Sequence, residues 1–171
     1  MPEPSASRRV FDGRHVRVDE EDWPGVGTWE VVRPLDAVCV LPLMPDGRAL
    51  LVRQFRPAVR AQVLEAPAGL LDVEGEAPDA CAARELFEET GYRAVSLEGL
   101  GGVHASVGHS SEYVHLFLGT IGEAPEAEPE QGLELVERPF ADVVADARAG
   151  RLVDVKTALI VLLADARTPA G

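Results

Sequence analysis

Basic residues are scarce: 16 Lys and Arg stand against 29 Asp and Glu, a formal net charge of −13 over 171 residues. So acidic a chain is ill suited to broad contact with a nucleic acid backbone, where binding rests on neutralising phosphates. Cysteines number two, Cys39 and Cys81, and they have no metal-ligand spacing. Cys39 lies in an apolar, strand-like run and Cys81 in a helix-like run, so two buried free thiols are expected and not a disulfide. No apolar run reaches the roughly eighteen residues of a membrane span. Met1 to Arg9 is polar and lacks the apolar stretch of a secretory signal. The expectation is a soluble cytoplasmic protein with neither nucleic acid nor membrane as partner.

Hydrophobic residues make up 46% of the chain, enough to build a core, and the length fits one domain better than two. Met1 to Gly13 reads as a flexible tail. Residues His15 to Asp19 and Gly27 to Arg33 alternate and are expected to form an N-terminal hairpin. Ala37 to Met44 is a near-continuous apolar run. The turn signal Pro45-Asp46-Gly47 and a second strand, Ala49 to Phe55, follow it. Gln62 to Glu65 is a short strand candidate. From Pro78 to Thr90 the apolar spacing turns helical, with Pro78 suited to the first turn and Gly91 to the position past the end. Leu100 to Ser106, Tyr113 to Thr120 and Leu133 to Val136 read as strands, and Gly122 to Gly132 as a Glu/Pro-rich loop. Phe140 to Ala149 and Lys156 to Ala166 read as amphipathic helices. This order implies a mixed sheet with helices on its faces, either α+β or a layered sandwich.

Arg84-Glu85-Leu86-Phe87-Glu88-Glu89-Thr90-Gly91 carries the chemistry. Positions three and four apart share a helix face, so Glu85 stands beside both Glu88 and Glu89. Like charges about 4 Å apart repel by about 4 kcal/mol near a protein surface. A hard divalent cation removes that repulsion, because carboxylate oxygens are its preferred donors, and it can also hold phosphates. The alternative is a solvated acidic helix face, common for a lone E-x-x-E-E. Context weighs against it: at roughly one position in twenty per specified residue, R-E-x-x-E-E-x-G arises by chance on the order of once in a few million windows.

The stretch Gly69 to Tyr92, G-L-L-D-V-E-G-E-A-P-D-A-C-A-A-R-E-L-F-E-E-T-G-Y, resembles the Nudix box. That pattern is a Gly, five residues, a Glu, seven residues, then R-E-U-x-E-E-x-G-U, with U bulky and apolar. The chain matches from Glu76 onward and departs once: six residues, not five, separate Gly69 from Glu76. The resemblance implies an α/β/α sandwich of the α+β class around a mixed sheet, with residues 34–168 as the hydrolase domain. Residues 1–33 become a tail and β-hairpin extension that serves dimerisation. It also implies Mg2+, with Mn2+ as the alternative, held by Glu85, Glu88 and Glu89 and by the backbone carbonyl of Ala68. Gly69, Glu76, Arg84 and Gly91 take structural roles. Arg84 as a direct phosphate contact stays open.

The flanks resemble the ADP-ribose pyrophosphatase branch of that family. The segments are Val52 to Pro57 (V-R-Q-F-R-P), Leu64 to Gly69 (L-E-A-P-A-G), Ser106 to Glu112 (S-V-G-H-S-S-E) and Gly150 to Ala158. Val107 replaces the branch's usual Pro. By this resemblance Arg56 binds a phosphate, Glu112 a second metal or a ribose hydroxyl, Trp29 the adenine, and Gly108 lies in the substrate loop. Plainer readings stand beside these: a surface Arg, a strand-start carboxylate, and core or dimer packing for Trp29. The general base falls on the acidic loop at Glu130, then Glu128, or on Glu88 or Glu89 of the box. The expected reaction is Mg2+-dependent hydrolysis of ADP-ribose to AMP and ribose 5-phosphate by a homodimer. The alternatives are another nucleotide sugar or dinucleotide, or a catalytically silent ADP-ribose sensor.

Overall fold

A computed structural model describes residues 3–14 and 16–167. The strands are β1 (Ala6–Asp12), β2 (Arg17–Trp23), β3 (Gly27–Val32), β4 (Ala37–Leu43), β5 (Arg48–Arg56), β6 (Ala61–Glu65), β7 (Ala68–Leu70), β8 (Ala94–His104), β9 (Tyr113–Ile121) and β10 (Glu134–Pro139). The helices are α1 (Pro78–Thr90), α2 (Phe140–Arg148) and α3 (Val155–Arg167).

The apolar run beginning at Ala37 becomes β4, the centre of the molecule. A strand buried on both faces needs no polar alternation, and β4 divides its side chains between two cores. Ala37, Cys39 and Leu41 pack with Leu116 of β9, Val143 of α2, and Ile160 and Val161 of α3. Val38 and Val40 pack with Cys81, Ala82 and Leu86 of α1. The result is the expected sandwich, one helix on one face and two on the other. Both cysteines are buried free thiols, as their surroundings in the sequence implied.

The central sheet has the order β10-β5-β4-β9-β8, with β6 on β5 and β7 on β4. Among the described strands of this sheet only β4 and β9 pair in parallel, from the pair Ala37/Val114 to the pair Leu43/Thr120. The β4–β5 turn closes through Met44 N–H to the Arg48 carbonyl at 2.8 Å, with Gly47 at φ 84°. β4 pairs with β5 only at Leu43/Ala49 and then turns to β7 at Ala37–Cys39. This divergence of β5 and β6 from β4 opens the cleft described below.

The N-terminus departs from expectation. Residues Ala6–Asp12, read as tail, form β1, and a three-stranded antiparallel sheet β1-β2-β3 replaces the hairpin. Its cross-strand pairs are ionic, Arg8 with Glu20 at 2.7 Å and Arg9 with Asp19, so the apolar alternation that reveals a strand is absent. The expected strand start at His15 lies outside the described residues, and β2 begins at Arg17. β3 is tied to the main body by Val32 N–H to the His109 carbonyl at 2.7 Å and Ser111 N–H to the Val32 carbonyl at 3.0 Å. Among the described residues no helix is long and apolar enough to cross a membrane.

Candidate active site

Pro78 opens α1 in its first turn. Gly91 ends it in the left-handed region at φ 76°, its N–H reaching the Phe87 carbonyl at 2.8 Å. The six-residue spacing ahead of the helix is absorbed by a turn in which Glu76 N–H meets the Val73 carbonyl at 3.1 Å, with Gly75 at φ 78°. Glu76 therefore still reaches Arg84. The guanidinium donates from Nε at 3.0 Å and from a terminal nitrogen at 2.9 Å. This hydrogen bonding holds Glu76 below the usual carboxylate range. The same arginine donates to Glu85 at 2.5 Å and Glu88 at 3.1 Å. A cation thus stands beside two of the three carboxylates, Glu85 and Glu88, where spacing alone suggested none.

The three glutamates have different surroundings. Glu88 is exposed and, among the described residues, pairs only with Arg84. Glu85 is half-buried, and its carboxyl lies against the backbone of Gly69 so closely that a Cβ there would fall on it. Gly69 is glycine for that close approach. Glu89 is 7% exposed and accepts the Ala68 N–H at 3.1 Å. Burial pushes it up to about 8, with Glu85 and Glu130 adding to the shift against the Ala68 hydrogen bond. Among the described residues no three His, Cys, Asp or Glu side chains stand close enough together, as placed, to hold an ion.

Beyond Gly69 a cleft of about 700 Å³ opens between β5–β6, β7 and the start of α3, and Arg56, Ala68, Gly69 and Glu112 line it. Arg56 is engaged by Glu65: Nε and a terminal nitrogen each donate at 2.7 Å to a carboxylate that is 2% exposed. The Glu112 carboxylate has no hydrogen bond or ion pair among the described residues, although it lines the cleft. Trp29 and Gly108 lie elsewhere. With Trp23, Val26, Val107 and Ser110 they line a separate pocket of about 370 Å³ where β3 meets the 106–111 loop. The structure therefore divides the predicted substrate contacts between two separate cavities.

The acidic loop is anchored to α1. Glu126 N–H reaches the Gly91 carbonyl at 2.8 Å, and Glu130 N–H reaches the Glu89 carbonyl at 3.3 Å. Glu128 is exposed, and its side chain makes no hydrogen bond or ion pair among the described residues.

Sequence reasoning missed the ion network at the far wall of the cleft. Asp154 caps α3: Oδ2 accepts Thr157 N–H at 2.9 Å and the Thr157 hydroxyl at 2.6 Å. The Thr157 hydroxyl oxygen in turn accepts Ala66 N–H at 2.8 Å. Lys156 donates to Asp154 Oδ1 at 2.6 Å and lies 3.8 Å from Glu65. Burial opposes both charges, yet Lys156 and the Thr157 hydrogen bonds together hold Asp154 below its ordinary value, and Asp154 and Glu65 together hold Lys156 above its own. The signal was legible as D-x-x-T, a helix-capping pattern placed just before the last apolar helix.

Comparison with known proteins agrees with this geometry. The family model described as NUDIX domain matches residues 33–158. An ADP-ribose pyrophosphatase of Bacillus subtilis is 31% identical over 164 residues, 91% of this chain and 88% of the relative. One of Mycobacterium tuberculosis is 35% identical over 146 residues, 81% of this chain and 70% of the relative. A GDP-mannose pyrophosphatase of Cronobacter sakazakii is 34% identical over 123 residues, 66% of this chain and 63% of the relative. With the helix face, the Glu76–Arg84 tie and the Gly69 contact all falling within the matched segment, the chain belongs to the Nudix family and is a Nudix hydrolase.

Proposed function

We propose that the protein hydrolyses the diphosphate linkage of a nucleoside diphosphate sugar, ADP-ribose to AMP and ribose 5-phosphate foremost, with Mg2+ or, in its place, Mn2+. The observation that carries this is Glu89. It is a buried carboxylate beside Glu85, behind the Ala68–Gly69 strand that forms the cleft wall. Nudix hydrolases generally use divalent metal ions. The residues here fit one: the donors are hard oxygens, and Gly69 lets the Glu85 carboxyl lie against the backbone next to the Ala68 carbonyl. Glu85, Glu89, Ala68 and, on the rim, Glu88 would hold the ion, and Glu112 suits a second. Bound there, a cation supplies charge neutralisation for the diphosphate and lowers the pKa of water.

The remaining steps fall to the chain itself. Arg56, fixed by Glu65, keeps its other guanidinium N–H groups for phosphate oxygens. Glu130 removes the proton from the attacking water. Its backbone tie to Glu89 favours it over Glu128, while Glu88 and Glu89 keep the metal. Trp29 offers an indole face to the base across the second pocket. Residues 1–33 serve as the dimerisation element, and the enzyme works in the cytoplasm.

The GDP-mannose pyrophosphatase relative supports a second reading, in which another nucleotide sugar is preferred. Incubation with Mg2+ and a panel of nucleotide sugars and dinucleotides, with chromatographic identification of products, decides between them. ADP-ribose turned over fastest, to AMP and ribose 5-phosphate, is the expected result. No turnover of any diphosphate compound with Mg2+ or Mn2+ would overturn the reading.

A further inference from the structure

The far wall of the cleft has no role in the metal site, and its composition is specific. Aliphatic side chains, Val59, Val63 and Val153 among them, surround an island of four charged groups: Arg56, Glu65, Asp154 and Lys156. Two cations and two carboxylates sum to zero within that island, and Glu112, also on the cleft lining, adds a third carboxylate. Arg56, held by Glu65, is the cation turned to the phosphates, whereas the charge of Lys156 is already met by Asp154 and is not left over for a second anion. Hydrogen-bonding capacity is left over instead. An ammonium has three N–H donors, and Lys156 spends one on Asp154 at 2.6 Å. The approach to Glu65 at 3.8 Å is an ion pair too long for a hydrogen bond. An acceptor stands beside these donors, since Asp154 Oδ1 takes only Lys156 among the described residues. Lys156 is largely buried and its stem is fixed, yet it lines the cleft.

A charge-balanced donor and acceptor pair on an aliphatic wall matches a polyhydroxyl compound. We propose that Lys156 and Asp154 are specificity-determining residues that take the hydroxyls of the substrate's sugar half, the ammonium donating to a hydroxyl oxygen and the carboxylate accepting from a hydroxyl proton. This rests on the reading of the site as a nucleotide sugar pyrophosphatase and names the part of the substrate that the wall opposite the metal helix recognises.

The test compares kcat/KM for the nucleotide sugar that the protein turns over fastest with kcat/KM for the methyl ester of the same nucleoside diphosphate, which lacks the sugar. Lys156→Met should lower the ratio of the two by about tenfold or more, chiefly through KM for the sugar substrate. A parallel fall in both values would mean that Lys156 only supports α3, and the proposal fails. Should Lys156→Met not fold, Val153→Trp gives the same readout from an exposed cleft residue that makes no ion pair. It should block the sugar and depress the same ratio, and an unchanged ratio overturns the proposal. If the wild type hydrolyses neither compound, the activity reading fails by itself. Calorimetric binding of ADP-ribose against ADP then decides: a preference for ADP-ribose that Val153→Trp abolishes supports the sugar wall, and equal affinities overturn it.

Discussion

Glu89 sits where its charge is costly unless something meets it. In an unfolded chain it ionises near the ordinary 4.5; burial in the fold raises it to about 8. Between those values the folded state keeps a proton that the unfolded state releases, so folding stability is fully present below the lower value and declines as pH rises through the upper one. With chelator present, the wild type should melt progressively lower from pH 5 to pH 8.5. Glu89→Gln, neutral at every pH, should match it near pH 5 and exceed it at pH 8 by on the order of a few kcal/mol. Superimposable wild-type and variant curves across that range would contradict the burial argument. That Glu85, Glu88 and Glu89 lie one turn apart on a single helix was legible from spacing, because helical geometry is local, while the expected convergence of all three is not seen as the side chains are placed among the described residues. Their differing environments were not. The groups that set them apart are the Ala68 N–H, twenty-one residues from Glu89, and the Gly69 backbone, both brought in by the sheet. Arg56 was legible as a cleft arginine, but its bidentate tie to Glu65 follows from the β5–β6 register.

Helix α1 and the acidic loop form one working unit. Gly91 holds a left-handed φ of 76°, and a Cβ there would run into the Ala127 carbonyl of the loop. Gly91→Ala should therefore destabilise the protein by about 1–2 kcal/mol through strain at positive φ. It should also loosen the segment from Glu123 to Leu133, read as faster amide exchange at Glu126 and Glu130, whose N–H groups bond the Gly91 and Glu89 carbonyls. Unchanged denaturation and exchange would mean that the loop is held otherwise. Elements with strong local signals were legible, β4 from its apolar run and α1 from Pro78 and Gly91. β7 was not, since three residues carry no period, and β8 was recognised only from Leu100 although it begins at Ala94. Bulges between Ala94 and Ser96 and between Gly99 and Gly101 break its alternation. β1 was hidden because charge pairs, and not apolar contacts, hold it to β2.

At the scale of the molecule, the N-terminal sheet is the part least supplied with a core. Every residue of β1 is exposed, as are Phe11, Val26 and Trp29. An exposed edge with large apolar side chains favours pairing with a second copy. Sedimentation equilibrium should show a dimer for the full chain, and a monomer at all concentrations would remove residues 1–33 as a dimerisation element. A net charge of −13 leaves the protein short of cations for a diphosphate, a deficit that the proposed divalent ion on α1 makes good. The most direct test is a Mn2+ titration followed by electron paramagnetic resonance, comparing wild type with a Glu85→Gln/Glu89→Gln variant. Saturable Mn2+ binding by the wild type that the variant loses by about a hundredfold in affinity is the predicted result. Equal binding by both proteins, or no binding by the wild type, would contradict it.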